Sequence, residues 1–404
     1  MKTITFFTCG GLQEPSAVGR YIPLAKELSR RGFRIQYLAL HPDYASVSSK
    51  RIRHQDGFDV YYVGPMHVLK KGDKKYYFSP LKLLWVVLVS TIKMTLTALS
   101  LKSDVLYCFK PQPINGFAAL VAKIIKRKPL ILDCDDYEAE LSRLNRFQKK
   151  IFVLFEDNLP RFADKVTFHT MFLKSRYLSL GFREDKFIFL SNGIDQERFS
   201  QIDPKRVNDL QSRFGLQGKK VVLYCGSLSL KSGHAIDLLL RAFPLIKKKV
   251  GHAALLIVGG GEDIDLLKQL LHSSVSHDVV FTGRVDPAEV PYYFKLASVT
   301  VDPVKDDLVN KGRSPLKIFE SMAVGVPVVT SDIGDRAQVI EIDKAGLLVS
   351  IGDHAALAEG CIRILSDEVL VQKMSQDCLR IIKKYNWSLL AEQLLQDMPL
   401  LRSV

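Results

Sequence analysis

A chain of 404 residues is too long for one ordinary core, so two domains are expected, and its 47% apolar and 25% charged residues are those of a globular protein. The six cysteines (Cys9, Cys108, Cys134, Cys225, Cys361, Cys378) are scattered without a Cys-x-x-Cys pair, which argues against a disulfide or metal framework. The net charge is +14, and residues 1–190 carry all of it: 31 Lys and Arg stand against 17 Asp and Glu there, whereas residues 191–404 hold 26 of each. A charged partner is therefore expected to meet the first half; the plainer alternative is a surface that keeps the protein soluble.

Met1-Lys2 runs straight into the apolar stretch Thr3–Thr8, which reads as a core strand and not as a signal peptide, so the cytosol is the expected compartment. Further strands are expected at Arg34–Ala39, Asp59–Val63, Asp104–Phe109, Leu130–Asp133, Lys165–His169 and Lys186–Leu190. Helical periodicity fills Ala17–Arg31 and Asn115–Lys126. The second half repeats the scheme, with strands at Lys220–Cys225, Ala253–Val258, Val279–Thr282, Val299–Pro303, Val326–Thr330 and Gly346–Val349. Such alternation predicts an α/β protein with two parallel, doubly wound sheets. The polar segment Asp195–Gly218 reads as the linker, and a helix near Trp387–Asp397 closes the chain.

Residues 81–101 are apolar, yet Leu83–Ile92 gives only ten uncharged residues before Lys93, short of a spanning helix. A core helix fits, because a strand follows at once. Lys70, Lys71, Lys74, Lys75, Tyr76, Tyr77 and Phe78 lie just upstream, as a monotopic membrane contact would require. The two readings can coexist at opposite ends of the segment.

The densest chemistry lies in Arg313–Asp332. Ser314 is placed to cap a helix with Pro315 in its first turn, and Gly325 and Pro327 end it. Lys317 and Glu320 share one helix face near its start. A helix N-terminus beside a cation suits a diphosphate, and a carboxylate one turn on can accept hydrogen bonds from ribose hydroxyls. The loop Gly226-Ser227-Leu228-Ser229-Leu230-Lys231-Ser232-Gly233-His234 follows a strand and adds a lysine where open α/β sheets bind ligands. Cys9-Gly10-Gly11 and Val258-Gly259-Gly260-Gly261-Glu262 are glycine loops after strands, but neither is Gly-x-Gly-x-x-Gly, and a tight turn explains each. Asp133-Cys134-Asp135-Asp136-Tyr137-Glu138 crowds carboxylates that need a cation, sugar hydroxyls or N–H groups; with no histidine close in sequence, sugar binding or helix capping is favoured over a metal.

Four segments in order give the chain a resemblance to retaining glycosyltransferases of the GT-B fold, in the family-four group that uses nucleotide-sugar donors. They are Gly10-Gly11 with the following helix, Ile188–Asp195 with Phe199, Tyr224–Leu228 with Lys231, and Pro315–Pro327. The resemblance implies two Rossmann-like domains facing a cleft: residues 1–193 for the acceptor, with a helix at about 385–404 packing back, and residues 194–384 for the donor. It implies a hinge at Asn192-Gly193-Ile194-Asp195, ribose binding by Glu320, and a diphosphate held by Lys231, Lys317 and the N–H groups around Pro315 and Leu316. Phe281, Gly283 and Arg284 would lie along the base. Gly10, Gly11, Gly226, Ser227, Arg313 and Ser314 complete the implied donor set, and Asp135, Asp136 and Lys231 the catalytic one. No metal or cofactor is expected, and the departing phosphate would guide front-face attack with retention. The partners implied are a nucleotide-diphosphate sugar and a saccharide or lipid-linked acceptor, with an anionic membrane surface met by the basic half on the inner face of the cytoplasmic membrane, and no nucleic acid. A non-catalytic nucleotide-sugar binder and an epimerase of the same fold are the alternatives.

The chain departs from the family pattern at three places. Gly312 stands where many relatives carry a glutamate eight residues before the conserved one, Ser227 where many carry arginine, and Asp135 where a histidine often precedes the aspartate. Sugar recognition is therefore expected to be unusual, with Arg313 or Arg284 compensating for the missing cation.

Overall fold

Short apolar runs bounded by turns become the parallel strands of two sheets. The computed structural model describes residues 1–401 apart from 48–51, 56, 72–73, 142–143 and 231–232. The chain divides into two units, Met1–Asn192 with Trp387–Val404, and Gly193–Asn386.

The first unit contains β1 (Thr3–Phe7), β2 (Arg34–His41), β3 (Ile52–Gln55), β4 (Phe58–Pro65), the hairpin β5 (Val68–Lys71) and β6 (Lys74–Tyr77), then β7 (Val105–Phe109), β8 (Leu130–Cys134), β9 (Lys165–Phe168) and β10 (Phe187–Phe189). Its main sheet has the order β10-β9-β8-β7-β1-β2-β4-β3 and is parallel except for β3, which pairs antiparallel at one edge. The strand order reverses between β1 and β7, so their C-terminal ends frame a topological switch point. β1, β7 and β8 are buried along their whole length, as strands covered on both faces must be. One face packs against helix Ile22–Arg30 and the terminal helix Trp387–Asp397, through Leu24, Leu28, Leu390 and Leu394. Trp387 Nε1 donates to the Gly19 carbonyl at 3.0 Å, and Arg31 Nη2 donates to the Ser388 carbonyl at 2.8 Å. The other face is covered by helices Pro80–Ser100, Pro113–Lys126 and Arg146–Phe162.

The second unit holds β11 (Lys220–Cys225), β12 (Ala253–Val258), β13 (Val279–Gly283), β14 (Val299–Asp302), β15 (Val328–Ser331) and β16 (Gly346–Val349) in the order β13-β12-β11-β14-β15-β16, all parallel. Here the switch point falls between β11 and β14.

Two expectations are corrected, and one element went unforeseen. Asp195–Gly218 is not a bare linker: it forms helices Gln196–Ser200 and Pro204–Arg213, and of its apolar residues Phe199, Leu210 and Leu216 are buried in the core of the second unit, with Ile202, Val207 and Phe214 packed against it. The lysine- and tyrosine-rich stretch before residue 80 forms a β-hairpin, a pattern that strand periodicity alone did not reveal. The apolar segment forms a single helix, Pro80–Ser100, whose two characters lie on opposite faces and not at opposite ends: Val86, Ser90, Met94 and Ala98 are buried, whereas Leu84, Trp85, Leu88 and Leu96 are exposed. All six cysteines are free, five of them buried.

Candidate active site

In the second unit the residues singled out by the sequence gather at the carboxyl ends of β11 and β14. β11 ends at Tyr224-Cys225, and Gly226 follows with φ +153°. A Cβ at Gly226 would lie 3.2 Å from the Tyr224 hydroxyl and 3.4 Å from Lys317 Nζ, so a bare backbone is what admits the lysine. The neighbouring loop is tighter still, because a Cβ at Gly259 would meet the Gly226 carbonyl at 1.9 Å. Val258–Gly261 is thus a packing device that locks two strand-end loops, with Gly226 N donating to the Val258 carbonyl and Leu228 N to that of Gly260.

Helix Leu316–Ala323 starts one residue later than expected. Its N-cap is Pro315, and no side chain caps it, so Ser314 is not the cap. Pro315 has no N–H to offer and sits in the extended region, while the N–H groups of the first turn point out of the helix start. Ser314, Pro315 and Lys317 are buried, and Leu316 half-buried. Lys317 Nζ lies 3.1 Å from Asp302 Oδ1 and 4.3 Å from the centroid of the Tyr224 ring. Burial lowers the Lys317 pKa against the pull of Asp302. Asp302, at the end of β14, also accepts from Arg336 Nε at 2.9 Å and Thr330 Oγ1 at 3.2 Å. Burial alone would raise its pKa, but Lys317 and Arg336 outweigh that and hold the carboxyl well below its ordinary range. Burial and the charges of Arg313 and Lys317 push His234 well below its ordinary value and keep it neutral.

One turn along, Glu320 pairs with Arg198 at 3.4 Å, and Arg198 Nε also donates to the Pro287 carbonyl at 3.1 Å. Burial raises the Glu320 pKa, with Arg198 opposing. The Cys225 thiol, pushed up to about 12 chiefly by burial, feels Glu320, Lys317 and Arg198 together, which places these groups around the end of β11. Phe281 and Gly283 close β13, with Lys268 Nζ 5.7 Å from the Phe281 ring and Gly259 N donating to the Gly283 carbonyl at 3.0 Å. Arg284 follows, exposed. Gly312 is buried and ends the short helix Leu308–Lys311, while Ser227 gives its carbonyl to the Tyr224 hydroxyl. Lys231 lies outside the described residues.

Asp302, Arg336 and Arg198 were missed at the sequence level. A charged residue ending the apolar run of β14, and an arginine in a segment that ends buried, were the available signals.

In the first unit, Asp133 is fully buried and held bidentately by Arg20, Nε to Oδ2 at 2.8 Å and Nη2 to Oδ1 at 2.7 Å. The same guanidinium donates to the carbonyls of Leu190 and Ser191, each at 3.1 Å, and to Asn192 Oδ1 at 3.0 Å. It therefore ties the end of β10 to the sheet, at the point where the first unit gives way to the second. The remaining carboxylates meet one cation: Lys110 Nζ is 3.4 Å from Asp135, 2.8 Å from Asp136 and 2.6 Å from Glu138. Burial works against charging Lys110, but the three acids hold its pKa well above the usual lysine value. Asp135 also accepts from the Tyr21 hydroxyl at 2.9 Å, and burial pushes its pKa up to about 7. The histidine absent from the local sequence comes from elsewhere in the fold: His169, after β9, is buried among these charges, and burial holds it near 3. Oxygens of Asp135, Asp136 and Glu138 lie within 4.8 Å of one another, and the ammonium of Lys110 lies against all three. Gly10 and Gly11 form the loop after β1, where Gly10 N donates to Thr8 Oγ1 at 3.1 Å.

Glu156 supports this site by accepting from the backbone N–H groups of Glu138 (2.7 Å) and Ala139 (3.0 Å), with its pKa pushed up to about 8 by burial and by Glu138. A raised carboxyl pKa stabilises the fold below its unfolded value of about 4 and ceases to do so as pH rises through the folded value. Stability is therefore expected to fall between about pH 4 and pH 8, by up to about 1.4 kcal/mol per pH unit for each proton released. Urea midpoints across this range should decline less steeply for Glu156→Gln than for the parent chain; parallel profiles would contradict the assignment.

Two doubly wound parallel sheets, with the terminal helix returned to the first unit, define the GT-B architecture. Residues 219–367, which lie within the second unit, match the model of the family glycosyl transferases group 1. The chain is 31% identical over 208 residues to a GDP-mannose-dependent alpha-(1-6)-phosphatidylinositol monomannoside mannosyltransferase of Mycobacterium tuberculosis, over 51% of this chain and 53% of the relative. It is 30% identical over 217 residues to an uncharacterized glycosyltransferase of Methanocaldococcus jannaschii, over 52% and 53%. The chain thus matches about half the length of these curated relatives. Among solved structures, sucrose-phosphate synthase from Thermosynechococcus elongatus superposes with a TM-score of 0.77 at 17% identity, covering 98% of each chain. HepE of Anabaena in complex with UDP and glucose superposes with 0.71 at 18% identity, covering 98% of this chain and 99% of its own.

Proposed function

We propose that the protein moves a sugar from a nucleotide-diphosphate sugar to an acceptor hydroxyl, with retention, in the assembly of a glycolipid or cell-surface polysaccharide. The observation that carries this reading is the pairing of Lys317 and Glu320 on one helix start at the switch point of the second sheet. As the glycosidic bond breaks, charge grows on the leaving diphosphate. Lys317, the N–H groups of the first helical turn, Arg313 and Lys231 stabilise that charge without a metal ion. Glu320 accepts from the ribose hydroxyls, exchanging its contact with Arg198 for them. Asp135 and Asp136 are assigned to the acceptor or the sugar, with Lys110 serving where a metal would otherwise neutralise them. The M. tuberculosis relative is by name a phosphatidylinositol monomannoside mannosyltransferase, which supports a lipid-linked acceptor; with such an acceptor the protein works peripherally at the inner face of the cytoplasmic membrane.

Screening the protein for thermal stabilisation by UDP, GDP and ADP sugars tests the donor reading. One nucleotide should raise the melting temperature, and none doing so would contradict it. Glu320→Gln should weaken binding of that nucleotide by about 10–100-fold, read by calorimetry, as lost hydrogen bonds to a charged acceptor do. Turnover should survive EDTA. Gly312 in the place of a sugar-contacting acid keeps a non-catalytic binder in view; nucleotide-sugar binding without transfer to any acceptor would select it.

A further inference from the structure

Helix Pro80–Ser100 turns the wrong side chains to water. Its buried positions, Val86, Ser90, Met94 and Ala98, recur every four residues and pack on the first unit's sheet. On the opposite arc stand Leu81, Leu84, Trp85, Leu88, Ile92 and Leu96, which are 48–82% exposed. An ordinary amphipathic helix would be polar there. Lys82 and Lys93 border this arc on one side, and the helix contains no acid. It cannot cross a bilayer, because its inner face belongs to the core, but at about 31 Å it can lie along one.

The two helices beside it repeat the pattern. Pro113–Lys126 exposes Phe117, Ile124 and Ile125, and Arg146–Phe162 exposes Phe147, Leu154 and Phe162 with Arg146, Lys150 and Arg161. The three pack on the same face of the sheet, and Lys126 Nζ donates to the Ala98 carbonyl at 2.9 Å, joining the first two. Across all three, the exposed positions carry five cations and no carboxylate.

We infer that this three-helix face seats the first unit on an anionic lipid bilayer, with Trp85, Leu88 and Phe147 entering the headgroup boundary and Lys82, Lys93, Arg146, Lys150 and Arg161 meeting the lipid charge. The sign of the charge selects a bilayer over a second copy of the chain, since self-association would press cation against cation. Five of the basic residues that make up the first half's excess thereby acquire a place. The inference rests on the proposed lipid-linked acceptor for its purpose, but not for its geometry.

The experiment uses the full chain with no donor or acceptor present. Sedimentation with vesicles of phosphatidylglycerol and phosphatidylcholine should carry the protein down, and vesicles of phosphatidylcholine alone should not. Trp85 emission should shift to the blue on binding, while Trp387, already buried, stays silent. Partitioning should fall at least about tenfold in Lys82→Glu/Lys93→Glu, and also in Trp85→Glu/Leu88→Glu. Unchanged melting would show that both variants fold. Absent binding to anionic vesicles, or binding that both variants retain, overturns the inference. Self-association that the same variants disperse overturns it too, assigning the face to a second copy. Transfer to a water-soluble acceptor, assayed separately, should be unaffected by these variants, so failure here and failure of the transferase reading are distinguishable.

Discussion

Lys317→Ala should lower turnover about 10²–10³-fold, the usual cost of removing one preorganised charge from a transition state. The lysine is buried against Asp302 and Tyr224 beside a helix start, so its ammonium is fixed before any substrate arrives. Loss of the side chain leaves Asp302 with Arg336 at 2.9 Å, which keeps that carboxylate paired and the fold intact. Arginine should not rescue the variant: the longer guanidinium cannot enter the space between Gly226 and Asp302 in place of a compact ammonium. Steady-state kinetics with a fixed acceptor will read the loss in kcat; undiminished turnover would remove the diphosphate assignment.

Arg20→Ala should cost about 3–5 kcal/mol of stability, the range expected when one partner of a buried ion pair is deleted. Asp133 is 0% exposed and among the described residues would keep the Thr167 hydroxyl as its side-chain donor, while the carbonyls of Leu190 and Ser191 would each lose a donor. Lysine should restore little, because one ammonium cannot serve two carboxylate oxygens and two carbonyls at once. Urea unfolding of the parent and both variants decides it, and a loss below about 1 kcal/mol would show that the network is not what secures β10.

Strand positions were legible because Val, Ile and Leu runs such as Lys220–Cys225 and Ala253–Val258 are long enough to fix a buried parallel strand. The antiparallel edge β3 and the separate hairpin β5–β6 were not, since four-residue strands rich in Arg, His, Gln or Lys show little apolar periodicity. Asp195–Gly218 was misread for a related reason: its apolar residues, Phe199, Ile202, Val207, Leu210, Phe214 and Leu216, are too widely spaced to form a run, yet they anchor the segment on the core. At the candidate site, Lys317 and Glu320 could be placed by helical spacing alone. Their partners could not, because Asp302, Arg336 and Arg198 are distant in sequence and meet only once the sheet is wound. The same holds for Lys110, which turns a costly cluster of acids into an ion-paired one. The exposed arc of Pro80–Ser100 was present in the sequence as an apolar run, but only the fold tells which side of it is covered.

The proposed reaction is transfer of a sugar with its configuration kept. The most direct measurement is NMR of the product formed when the nucleotide sugar that stabilises the protein is incubated with a short-chain lipid-linked acceptor. A nucleoside diphosphate and a new glycoside whose anomeric configuration equals that of the donor are expected, formed only when acceptor is present. An inverted anomer would contradict retention, and an altered sugar appearing with donor alone would contradict the transferase itself.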